Sequence, residues 1–221
     1  MPEIFDSSQT NEVFMDPEEG NFLSLSKDEA IFIQTSWVRA ITTTDVGAEL
    51  IIRLLNDKRS LFKSLLESQT GAMEVETFTV EIVNRDLKRA KQVGEGVVRF
   101  FQKAVDCIPL FNASNTIRKM SYDLGALHYK MRVWFQAENW LCVKNSLLEV
   151  ILDLNPSKNT HARLGFISMC AGISDADLIL PEKASQRMAW TKVLQFVIRN
   201  MKRGFLAVSS PATFVDTFLR I

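Results

Sequence analysis

The chain of 221 residues is 47% hydrophobic and carries 26 basic against 26 acidic side chains, enough apolar material for one sizeable core. Zero net charge, with no basic run interleaved with aromatics, removes the long-range attraction that nucleic acid or an anionic membrane surface requires. No stretch is apolar for long enough to span a bilayer, and Met1-Pro2-Glu3-Ile4-Phe5-Asp6 offers neither a charged leader nor a myristoylation glycine, so neither secretion nor a lipid anchor is expected.

Residues 1–23 are polar and acidic, with Pro17 and Gly20, and read as a flexible extension ahead of a helical domain over 24–208. Ser26 followed by Glu29 is a capping box that opens a helix running to about Ile41. A second helix follows Asp45 and carries Leu50 and Leu54; 58–66 read as a short turn-rich piece and 67–80 as a linker. Val93, Val97, Phe100, Phe101, Ala104 and Ile108 then recur at helical spacing until Pro109, which predicts one buried face. Beyond a loop from Phe111 to Asn115, Ile117, Met120, Leu124 and His128 share one side of a helix. A long helix is expected from about Arg132 to Asp153, stopped at Asn155-Pro156, and a terminal helix beyond Pro181 aligns Trp190, Leu194, Val197, Ile198, Met201 and Phe205. The insertion between Pro156 and Pro181 is long enough to predict one or two short helices inside it, and 209–221 form a tail. No strand pattern of comparable strength occurs, so the fold class is all-α.

Few residues carry chemistry. His128 is one of two histidines and sits on the apolar face of its helix, where a neutral imidazole with one nitrogen held by the backbone can ligate haem iron. The plain alternative is a satisfied core histidine. Cys107, Cys142 and Cys170 are odd in number and embedded in apolar patterns, which reads as reduced thiols of a cytoplasmic protein. His161 has no ligand-spaced cysteine or histidine near it, and no Gly-x-Ser-x-Gly elbow, His-Glu-x-x-His run or phosphate-cradling glycine loop supports hydrolysis.

Several landmarks come in a telling order: Leu25-Ser26 with Trp37, then Gly47-Ala48-Glu49-Leu50-Ile51-Ile52-Arg53-Leu54-Leu55, the Phe100-Phe101 pair, Leu124 four residues before His128, and Trp190 in the last helix. This set resembles the globin family over about residues 24–208, and is similar to its extended invertebrate and nematode-like members and to the cytoglobin and neuroglobin group. The resemblance implies about eight helices clasping haem b, iron protoporphyrin IX, with His128 as proximal iron ligand and Leu124 against the porphyrin. It further implies that Arg99 and Arg132 pair with the haem propionates, although solvated surface charge explains both equally well. Ile51 matches a pocket position of the second helix.

The departures from the family matter as much. Aligning Val97-Val98-Arg99-Phe100 on the pocket helix puts Gly96 at the distal position, or Val97 if the register slips by one. Neither can donate a hydrogen bond to a gas ligand, a loss of about 1–3 kcal/mol if it resembles bonds at charged groups. Gln92 would need a full-turn shift, and His161 would have to reach in from the insertion. Leu65 stands at the corner phenylalanine position, with Phe62 one turn earlier as substitute, and Phe100 is expected to narrow the ligand space while packing in the core. Three functions follow: reversible binding of dioxygen or another diatomic gas as carrier, store or sensor; haem redox chemistry such as nitric oxide dioxygenation, peroxidase-like turnover or electron transfer; or a haem-free interaction module. Homodimerisation is left open.

Overall fold

Ser26 starts the first helix through the reciprocal bonds its spacing promised: its Oγ accepts the Glu29 N–H at 3.1 Å, and Glu29 Oε2 accepts the Ser26 N–H at 2.8 Å. A computed structural model describes residues 22–58, 62, 77–133, 137–152 and 175–209. Among them are seven helices and no strand: α1 (Lys27–Thr43), α2 (Val46–Asn56), α3 (Val80–Asp86), α4 (Lys88–Cys107), α5 (Ala113–Lys130), α6 (Ala137–Leu152) and α7 (Asp175–Ser209). The protein is all-α, and no helix among the described residues is long and apolar enough to cross a membrane.

Several boundaries differ from the sequence reading. Thr79 caps α3 by accepting the Ile82 N–H at 3.5 Å, so the expected linker ends in a short helix. The helix expected from Arg132 begins instead at Ala137, because the chain turns sharply at Arg132. The last helix starts at Asp175, ahead of Pro181 rather than beyond it; a proline removes a single i→i−4 hydrogen bond, which a helix of 35 residues can absorb. The rest of the insertion, with His161 and Cys170, lies outside the described residues, as do the extension to residue 21, the tail from 210 and the 63–76 segment with Leu65.

Periodicity placed the core correctly in kind. Trp37, Phe101 and Trp190 meet at its centre with ring centroids 6.0–6.3 Å apart. Both indoles are satisfied there: Trp37 Nε1 donates to Gln102 Oε1 at 2.8 Å and Trp190 Nε1 to Ser36 Oγ at 2.7 Å. Leucines, valines and isoleucines of α2, α6 and α7 complete this cluster, and the Cys142 side chain is buried within it. A smaller cluster of Ile51, Leu55, Phe78, Val83, Leu87 and Ala90 joins α2 to α3 and the start of α4. Asn56 clamps its edge, since its side-chain amide both donates to the Phe78 carbonyl at 3.0 Å and accepts the Phe78 N–H at 2.9 Å.

Two helix crossings are made backbone to backbone. A Cβ on Gly94 would stand 2.6 Å from the Gly47 carbonyl oxygen, so α2 and α4 touch where neither can carry a side chain. That contact sets how α4 is rolled. Ala90, Gly94, Phe101, Ala104 and Val105 face inward, while Val97, Phe100 and Ile108 are half-buried and Val93 is 40% exposed. In the same way a Cβ on Gly125 would overlap the Met201 carbonyl, and one on Gly204 the Tyr122 carbonyl, so α5 and α7 cross with their main chains in contact.

An ion pair ties the start of α1 to α7. Lys192 Nζ donates to Glu29 Oε1 at 2.6 Å. Burial alone would push the Glu29 carboxyl up, but the hydrogen bonds from Lys192 and Ser26 together outweigh it and hold the group below its ordinary 4.5. The unfolded chain therefore takes up this proton more readily than the native one. The resulting stabilisation is complete above about pH 4.5 and is lost as the pH falls through the lower native value. Glu29→Gln is expected to flatten the acid limb of melting temperature against pH, followed by circular dichroism; an unchanged limb would mean that the pair adds nothing to the linkage.

Candidate functional site

His128 stands in the last turn of α5, and two contacts fix its ring. Nδ1 lies 2.8 Å from the Leu124 carbonyl oxygen. A carbonyl only accepts, so in the neutral imidazole Nδ1 carries the proton and Nε2 keeps its lone pair. Nε2 meets no hydrogen-bond donor among the described residues. Trp140 of α6 closes one side, with ring centroids 5.7 Å apart and planes inclined at 54°. The residue is half-buried, not sealed inside the core.

The main chain just beyond this imidazole is fixed as well. Arg132 N–H donates to the Tyr129 carbonyl and Val133 N–H to the His128 carbonyl, each at 2.9 Å, the double closure of a Schellman turn. Arg132 occupies its left-handed position at φ 58°, where glycine is usual and an ordinary residue costs about 1–2 kcal/mol. Arg132→Gly is therefore expected to raise stability by about 0.5–1 kcal/mol after allowing for the looser unfolded chain, measured by urea denaturation. A lower stability would show that the strain lies elsewhere.

Apolar side chains of both α4 and α5 are left incompletely covered. On α5, Leu124 packs against the main core while Leu127 and Met131 are 48% and 55% exposed. On α4, Val97 and Phe100 rest against the same core, and beside them Val93 shows its side chain to the outside. Gly96 shares that flank and is half-buried; a Cβ there would find only the Arg99 guanidinium, at 3.9 Å. The space beside it is open, and Val93, Gly96, Val97 and Phe100 supply no hydrogen-bond donor from their side chains. Phe62 is half-buried against the main core.

Other expected site residues are placed differently. Ile51 is not on this flank; it is buried in the smaller cluster and lies under Gly94, because the α2–α4 contact turns it inward. Arg99 is exposed and stands 3.7 Å from Glu95 one turn earlier, and Arg132 is exposed on its turn. Gln92 is exposed. Three neighbours of His128 were missed. Leu127 and Met131 were legible in principle, since 124, 127, 128 and 131 form one helical patch, whereas Trp140 reaches the imidazole only through tertiary packing.

Among the described residues no three of His, Cys, Asp and Glu converge, so those residues build no coordination polyhedron of protein side chains. A lone imidazole with one unbonded ring nitrogen could ligate only an ion that brings its remaining ligands with it. No model of a known protein family matches the chain, and no characterised protein is significantly similar to it in sequence. The described residues form an all-helical structure in which the His128 ring, held through Nδ1, lies beside the exposed Leu127 and Met131.

Proposed function

We propose that this chain is a haem-binding globin that takes up dioxygen or another diatomic gas reversibly at an iron ligated by His128. The observation that carries this reading is the Nδ1 to Leu124 carbonyl bond, which orients the ring and leaves Nε2 as a neutral nitrogen ligand. Haem b, when bound, supplies the iron and its exchangeable position for the gas. Leu124, Leu127 and Met131 on α5 are assigned to apolar cover of the macrocycle, and the family resemblance adds Val97, Phe100 and Phe62 to it. Leu65 is assigned to the same cover by the family resemblance alone. Arg99 and Arg132 offer guanidinium groups to the two propionates.

Gly96 favours a second reading, in which the same haem serves redox chemistry. The space beside Gly96, where the Arg99 guanidinium is the nearest group, admits water or peroxide, and Val93, Gly96, Val97 and Phe100 give a polar gas ligand no side-chain donor. The lifetime of the ferrous protein in air separates the two, because carriage needs a long-lived ferrous form and redox turnover does not. The test of haem binding itself is titration of the purified chain with haemin, followed by spectra of the ferric, ferrous and carbonyl forms. A Soret band saturating at one haem per chain is expected. A chain that stays colourless would overturn both haem readings and leave the interaction module.

A further inference from the structure

We infer that the outer face of α1 is an interface between two copies of this chain, with the two α1 helices antiparallel across a two-fold axis. Ile31, Thr35, Val38 and Thr42 follow one another at i, i+4, i+7 and i+11 and form a single ridge. Ile31 and Val38 are 47% and 55% exposed. The threonines do not make the ridge polar. Thr35 Oγ1 donates back to the Ile31 carbonyl at 2.9 Å and Thr42 Oγ1 to the Val38 carbonyl at 2.8 Å, so both hydroxyls are satisfied inside the helix. What remains outward is β-branched carbon bordering a shallow groove lined by Gln34, Thr35, Val38, Arg39 and Thr42.

The charges say which partner fits. Asp28 and Arg39 lie on the same flank of the ridge, both exposed, and neither makes an ion pair among the described residues. A two-fold axis perpendicular to α1 and midway between Gln34 and Thr35 sets Ile31 of one copy opposite Val38 of the other. The same operation keeps each flank on its own side, so Asp28 comes about 3 Å along the axis from Arg39 of the second copy, and the pair occurs twice. Antiparallel helix dipoles add to this attraction. A parallel arrangement would instead set Lys27 against itself and align the dipoles. The ridge spans only about 17 Å at 1.5 Å per residue, too little for the roughly 1,200–2,000 Å² of a standard interface, so the association is weak and reversible.

This inference is independent of haem binding and is tested on the full chain by sedimentation velocity over a concentration series. The expected result is a sedimentation coefficient that rises with concentration and falls back with added salt. Val38→Glu should weaken association at least tenfold while leaving the circular-dichroism melt unchanged, because the side chain is exposed. Asp28→Arg and Arg39→Asp should each weaken it, and the two together should restore it. A chain that is monomeric at hundreds of micromolar, an association indifferent to Val38→Glu, or a double charge reversal no better than either single one overturns the proposal.

Discussion

Gly125→Ala is expected to cost about 3 kcal/mol or more of stability, at or beyond the upper end of what overpacking costs. The added methyl would overlap the carbonyl of Met201, which is main chain inside α7 and cannot swing aside as a side chain can. Gly204→Ala meets the Tyr122 carbonyl of α5 and should behave alike. Gly96→Ala is the control of opposite sign. Its Cβ enters open space, and exchanging glycine for alanine in a helix interior stabilises by about 0.5–1 kcal/mol. Urea denaturation of the three variants measures all of this. Equal, small effects at positions 96 and 125 would mean that α5 and α7 do not touch along their backbones.

His128→Ala should abolish the Soret band of the haemin-treated protein while changing the melting temperature little, because the ring is half-buried near a helix end. Loss of a residue that merely orients a metal ligand costs roughly 10–100-fold in affinity, and loss of the ligand itself must exceed that. Imidazole added to the His128→Ala protein should fill the space left beside Trp140 and bring back part of the absorption. A variant that binds haemin like the parent would remove His128 from the site.

The sequence made the all-helical class legible because apolar residues recur with helical period in α1, α4, α5 and α7, and because Ser26 and Asp45 carry recognisable caps. Asp45 does accept the Ala48 N–H, at 3.0 Å. The roll of α4 was harder to read. Periodicity alone ranked Val93 with the core, but the Gly47–Gly94 contact turns Gly94 inward and leaves Val93 outside, and only tertiary approach can decide between adjacent faces of one stripe. The end of α5 was hidden for another reason. Nothing in Met131-Arg132-Val133 has the composition of a turn, and an arginine at positive φ is a choice the fold imposes against local preference. At the candidate site, His128 and Leu124 were legible as one helical patch, whereas Trp140 was not, because no spacing along the chain links α5 to α6.

The bare contact at Gly125 and Gly204 also governs mechanics. Packed side chains between two helices act as a compliant layer, able to change rotamer and take up small displacements; at Gly125 and Gly204 that layer is missing, while Tyr129 and Phe205 still pack edge to face between the same helices. A displacement of the imidazole turn, one helical turn from Gly125, therefore meets α7 through main chain at that crossing. The two helices are then expected to shift together at that point, α7 being the longest helix among the described residues.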